Sequence, residues 1–136
     1  MVKYHEWKDT DLVQVAIRFL DSIMSEYIAK ASGISGFAPA INSAIKGRAL
    51  GLGVLGWHTL LQESGIPFDS FEAMQLNAEV FRRFRAEADK GTEILAKELG
   101  EPLWCLGYGR RNIQTLACAP TATNSVIAGG HSPGIE

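Results

Sequence analysis

A mainly helical α+β fold with one or two short strands is predicted by three observations. Apolar residues recur at i, i+3, i+4 and i+7 across two long segments, roughly residues 9–30 and 69–99, which is the period of an amphipathic helix. One later run, Ile113 to Ala119, is short, apolar and β-branched, and turn-rich "GYGRR" and "PTATNS" bound it, as suits a buried strand. Elsewhere glycine and proline cut the periodicity into short pieces, and no internal repeat or low-complexity stretch occurs.

In chain order, the first helix is expected from Asp9 to Lys30. Leu12, Val13, Ala16, Ile17, Leu20, Ile23, Met24, Tyr27 and Ile28 form its apolar stripe, while Asp11, Gln14, Arg18, Asp21 and Ser25 fall largely off it. Asp9 or Thr10 supplies the capping oxygen. "ASGISGFAPAINSAIKG" then reads as a loop with one short helix from Pro39 to Ile45, proline being suited to a first helical turn. "GLGVLG", Gly51 to Gly56, leads through a short extended piece into a helix from Leu55 to Glu63 that Gly65 closes. The longest helical pattern follows, with Asp69 and Glu72 resembling a capping box and Phe71, Met74, Ala78, Phe81, Phe84 or Arg85, Ala88, Ile94 and Leu95 as its stripe. Gly91 is where that helix would kink or divide, and Gly100 with Pro102 ends it. The tail "SVIAGGHSPGIE" is read as turns.

A chain of 136 residues fits one domain, here taken as 1–136, because a domain is typically about 100 to 200 residues. The hydrophobic fraction of 46% and charged fraction of 21% exclude disordered, collagenous and coiled-coil classes. A net charge of −2 gives no general attraction to nucleic acid or an anionic membrane, and "RRFR", Arg82 to Arg85, is read as a solvated helix face. Two cysteines, Cys105 and Cys118, fit neither a disulfide framework nor a C-x-x-C pattern, so a reducing cytoplasm is the expected compartment. The first residues lack an apolar h-region and no run approaches 18 apolar residues, so neither a signal peptide nor a membrane span is expected.

"GLGVLG" matches G-x-G-x-x-G, the turn that cradles a dinucleotide pyrophosphate, but that fingerprint needs a hydrophobic strand directly before it. Lys46, Gly47 and Arg48 interrupt any such strand, and Asp69, the acidic residue at the right distance, opens a helix instead of ending a strand. The glycines are better read as permitting close packing at a junction. His5, His58 and His131 have no partner at metal-ligand spacing, His58 is read as a packed or surface residue, and both cysteines are read as core residues. The strongest chemical signal is "APTATNS", Ala119 to Ser125, where a strand ends in hydroxyl and amide side chains. Backbone amides there, the hydroxyls of Thr121, Thr123 and Ser125, and a helix starting near Asn124 can bind phosphate oxygens without a cation. Residue types alone leave this and an ordinary capped turn both open.

"RNIQTLACAPTATNSVIAGGHSPGIE" resembles the stretch of ribonucleotide reductase large subunits that reads R-N-x-x-x-x-x-x-A-P-T-x-x-x-S-x-I-x-G-x-S-x-G-I-E. "GRALGLGVLGWHTLLQ" is similar to the R-x-L-G-L-G-V-x-G segment that precedes it, and "YHEWKDTDLVQVAIRFLD" to the helix entering that segment. The resemblance covers essentially the whole chain in order. It implies a partial piece of that family's ten-stranded α/β barrel and radical reduction of ribonucleotides to deoxyribonucleotides for DNA replication. It places Thr121, Ala122, Thr123, Asn124 and Ser125 at the substrate diphosphate, with Pro120 fixing the strand exit and small Ala122 admitting oxygens to the backbone.

The departures from the family are equally specific. The N-x-C-x-E motif that carries the radical cysteine is not in this sequence, and Cys105 and Cys118 do not occupy the family's catalytic positions. The chain stops at Glu136, where the family continues into further barrel strands. No catalytic residue, cofactor or metal is therefore assigned to it, and a radical generator would come from a partner. The expected partners are complementary reductase pieces or the small subunit, a ribonucleoside diphosphate, and further copies of itself, with neither nucleic acid nor membrane. A separately encoded piece, as in a phage or environmental genome, and a partial reading frame both fit. A non-catalytic helical assembly module is the alternative, and a small dinucleotide-binding oxidoreductase the third reading.

Overall fold

Helical periodicity governs the computed structural model, which describes residues 3–135. Its elements are α1 (Tyr4–Trp7), α2 (Leu12–Ala31), α3 (Ala38–Gly47), α4 (Trp57–Glu63), α5 (Phe71–Leu99), a 3-10 turn (Leu103–Cys105) and α6 (Ala122–Ile127). They form two compact units. One holds the described residues up to Thr10, Gly53–Arg85 and those from Ala117 on; the other holds Asp11–Leu52 and Ala86–Leu116.

The first unit is built on aromatic packing. Tyr4, Trp57, Leu60, Leu61, Ala73 and Val80 are buried together, with Trp7, Ile66, Leu76 and Phe81 against them, and each such large side chain contributes about 1.5–3 kcal/mol. The rings meet edge to face, Tyr4 on Trp7 at 5.2 Å and Trp57 on Phe81 at 5.5 Å between centroids. Burial, and then its hydrogen bond to Glu79, pushes the Tyr4 hydroxyl above the usual tyrosine pKa. Ser70 caps α5 by accepting from the Ala73 N–H at 3.1 Å. That corrects the expected Asp69–Glu72 capping box: the oxygen that reaches the third helical amide belongs to the residue directly before the helix. Phe71 and Met74, expected on the buried stripe, are exposed.

In the second unit α2 and the latter part of α5 approach at Gly91. A Cβ there would lie 3.2 Å from Gln14 Cα and 3.3 Å from Ile17 Cβ, so glycine allows the helices to touch. The helix is not divided at Gly91; α5 is one helix from Phe71 to Leu99, because its ladder continues through a glycine whose cost of about 1 kcal/mol is offset by packing. Trp104 lies over Gly47 in the same way, its ring 2.5 Å from where a Cβ would stand. Asp11 is the N-cap residue of α2 and its side chain makes no capping bond, while the Thr10 hydroxyl donates to Trp7 C=O and Asp9 pairs with Arg83.

Asp21, expected off the apolar stripe, is instead the buried centre of the second unit. Its carboxylate accepts from Arg48 Nε at 2.8 Å, Arg111 Nε at 2.9 Å and Asn112 Nδ2 at 2.9 Å. Burial alone would raise its pKa, but the bonds from Arg48, Arg111 and Asn112 and the charge of Arg48 outweigh that and hold it below the usual carboxylate value. Arg48 sits at φ 46, a left-handed conformation unusual for a residue with a side chain, and ends α3 there.

No strand forms among the described residues, which corrects the expected buried strand over Ile113–Ala119. Ile113 N–H donates to Gly47 C=O, and Leu50 and Leu52 donate to Gln114 and Thr115 C=O, but only one parallel bridge, Leu52 to Leu116, results. Two short parallel segments with no third neighbour do not sustain a ladder. Thr115 is buried, whereas Ile113 and residues 117–119 are exposed.

Candidate functional site

The five residues singled out from "APTATNS" form one contiguous turn that opens α6. Thr121 is its N-cap residue and makes no side-chain bond to the helix it starts. Its Oγ1 instead accepts from the Gly134 N–H at 2.9 Å, which leaves the hydroxyl's own proton to donate. Ser125 is buried, donating its hydroxyl to Ala122 C=O at 2.7 Å and its N–H to Thr121 C=O at 2.9 Å. Its own C=O accepts from Gly130 and His131 N–H. Between these two anchors Ala122, Thr123 and Asn124 are exposed, and the first amides of a helix have no acceptor within it. The turn therefore offers backbone N–H groups and one fixed hydroxyl on a small residue's surface, the chemistry of an anion cradle.

The tail residues that hold this turn also hold α4. Gly56, the last glycine of "GLGVLG", has φ 76 and is the N-cap of α4, where it can offer no capping side chain. Ser132 supplies the missing oxygen from 73 residues away, accepting from the Thr59 N–H at 3.1 Å. Ser132 N–H donates to Thr59 Oγ1 at 2.9 Å, and Ser132 C=O accepts from Gly56 N–H at 2.7 Å. Gly53 is equally constrained, since a Cβ on it would lie 2.7 Å from the Ala117 carbonyl oxygen. The glycines thus serve close backbone approach and a helix start, and no strand precedes them among the described residues.

Sequence reading missed Thr59, Ser132 and Gly134. A helix that begins on glycine without a local Ser, Thr, Asp or Asn signals that the cap comes from elsewhere, and that signal was present in Gly56–Trp57. Of the cysteines, Cys105 is buried, its thiol pushed up by burial, while Cys118, expected in the core, is exposed three residues before Thr121. His58 stacks edge-on against Phe68 at 5.4 Å. No group of three His, Cys, Asp or Glu placed to hold a metal ion occurs among the described residues. An open hollow of about 510 Å³ lined by Trp57, Phe68, Phe71 and Met74 contains none of the five turn residues.

Compared with known proteins, residues 2–104 match the family model for the ribonucleotide reductase barrel domain. The chain belongs to the ribonucleotide reductase large-subunit family. Its segment is 42% identical over 134 residues to the ribonucleoside-diphosphate reductase large subunit of Invertebrate iridescent virus 6, covering 98% of this chain and 14% of that protein. It is 35% identical to the vitamin B12-dependent ribonucleoside-diphosphate reductase of Mycobacterium tuberculosis over 93% of this chain and 18% of that protein. The solved class Id ribonucleotide reductase alpha subunit of Actinobacillus ureae superposes with a TM-score of 0.98 at 45% identity, covering 99% of this chain and 26% of that one. This reductase segment thus spans 14% to 26% of these relatives' lengths.

Proposed function

We propose that this reductase segment binds the diphosphate of a ribonucleotide at Thr121, Ala122, Thr123, Asn124 and Ser125 within a ribonucleoside-diphosphate reductase large subunit. The observation that carries the reading is the Thr121–Ser125 turn itself, its exposed amides held between two hydroxyls already fixed by internal bonds. Ala122, Thr123 and Asn124 face the phosphate oxygens, Thr121 donates its free proton, and buried Ser125 keeps the turn's shape.

The sequence has no N-x-C-x-E, and neither Cys105 nor Cys118 takes the radical cysteine's role, so the 136-residue chain by itself does not reduce ribonucleotides. It acts when joined to the rest of the barrel, with a partner such as the small subunit supplying the radical, in the cytoplasm where its thiols stay reduced. Among the described residues no helix is long and apolar enough to cross a membrane.

Reconstitution tests this reading. Mixed with polypeptides carrying the remaining barrel and a radical source, the chain should support deoxyribonucleotide formation. Thr121→Val with Thr123→Val should then raise the substrate KM or cut kcat/KM; unchanged kinetics would sink the assignment.

A second reading, an assembly module, is favoured by one observation. Leu12, Val15, Phe19 and Ile23 form an exposed apolar row on α2, and such rows drive association. Alone, the chain should self-associate; a monodisperse monomer at micromolar concentration in light scattering would count against it.

A further inference from the structure

We infer that Thr59 and Ser132 are positioning residues for the phosphate turn, an inference that rests on the reading of Thr121–Ser125 given above. Ser132 is held at three points, by Thr59 N–H and Oγ1 and by Gly56 N–H. Two residues later the Gly134 N–H fixes Thr121 Oγ1. Pro133 lies between them, with the φ of its ring locked, so the link from Ser132 to Gly134 is stiff. Gly134 has φ 52, and a Cβ on it would lie 3.2 Å from Ala119 C=O, so the strap passes directly over the residues that lead into the turn.

The consequence concerns the Thr121 hydroxyl. Because one of its lone pairs is taken by Gly134 N–H, the direction of its proton depends on where Gly134 stands. That place is set by the Thr59–Ser132 clasp. Start of α4 and start of α6 are therefore one device: the helix that begins at "GLGVLG" anchors the strap, and the strap aims the hydroxyl that meets a phosphate oxygen of a nucleoside diphosphate. Neither Thr59 nor Ser132 touches the ligand.

The test uses the reductase holoenzyme that contains this chain, with steady-state kinetics on a ribonucleoside diphosphate. Thr59→Val removes the acceptor of Ser132 N–H, and KM should rise about three- to tenfold, the size of one lost hydrogen bond, while kcat stays within about twofold. Thr59→Ser, which restores the oxygen, should return KM to its original value. Ser132→Ala, which drops only the capping oxygen and keeps both backbone bonds, carries the same KM test if Thr59→Val does not fold. A lowered melting temperature with unchanged KM in both variants, alongside a raised KM in Thr121→Val, overturns this inference and leaves the phosphate reading standing. Unchanged KM in Thr121→Val itself overturns the phosphate reading, and the inference falls with it.

Discussion

Arg48 and Asp21 form a buried ion pair, Nε to Oδ1 at 2.8 Å, with the Asp21 side chain only 2% exposed. Arg48 also donates to Asp21 C=O and Ser25 Oγ, and Asn112 ties the carboxylate to Arg48 C=O. Every strong partner of this centre is satisfied, so the pair's importance shows when one member is removed.

Asp21→Ala leaves the Arg48 guanidinium buried without its carboxylate and should cost about 3–5 kcal/mol in urea unfolding. Asp21→Asn retains the shape and should cost less. Stability equal to the parent in Asp21→Ala would mean that water reaches Arg48.

The same carboxylate sets an acid limit. Its folded pKa lies below its unfolded value, so its contribution is complete above the ordinary carboxylate pKa of about 4 and is lost as pH falls through the lower folded value. Unfolding free energy should therefore decline below about pH 4 in the parent, and the decline should be shallower in Asp21→Asn. Parallel pH curves for the two proteins would contradict this.

Gly91 sets two effects against each other. Alanine gains about 1 kcal/mol of helix propensity, but its Cβ meets Gln14 Cα at 3.2 Å and Ile17 Cβ at 3.3 Å, and overpacking costs about 1–3 kcal/mol. Gly91→Ala should be close to neutral, and Gly91→Leu destabilising by about 2 kcal/mol or more. Gly91→Leu as stable as the parent by thermal unfolding would show that α2 and α5 do not meet there.

What the sequence disclosed and what it hid follow from how local each determinant is. The i, i+3, i+4 pattern of α2 and the Gly65 stop of α4 are local, and both appear within three residues of the expected bounds. Asp21 was misplaced because periodicity assigns a charged residue to solvent, whereas two arginines and an asparagine, 27 to 91 residues distant, make its burial favourable. The expected strand failed because seven residues of suitable type do not make a ladder without neighbours. Within the candidate site, the turn from Thr121 was legible as a run of small polar residues. Ser132 was not, since a cap delivered across 73 residues leaves no mark in spacing.

Thr115 is buried in the 113–116 run, and its Oγ1 has no hydrogen-bond partner. A hydroxyl in that position costs about 1–3 kcal/mol of uncompensated desolvation, whereas valine has nearly the same shape and the same β-branching. Only the backbone of Thr115 is engaged, its C=O accepting from Leu52 N–H, and that bond survives the change. Thr115→Val should raise the unfolding free energy by about 1 kcal/mol in urea titration, with the slope of the transition unchanged. A loss of stability instead would mean that an ordered water satisfies the hydroxyl, and a changed slope would mean that the 113–116 pairing itself had shifted.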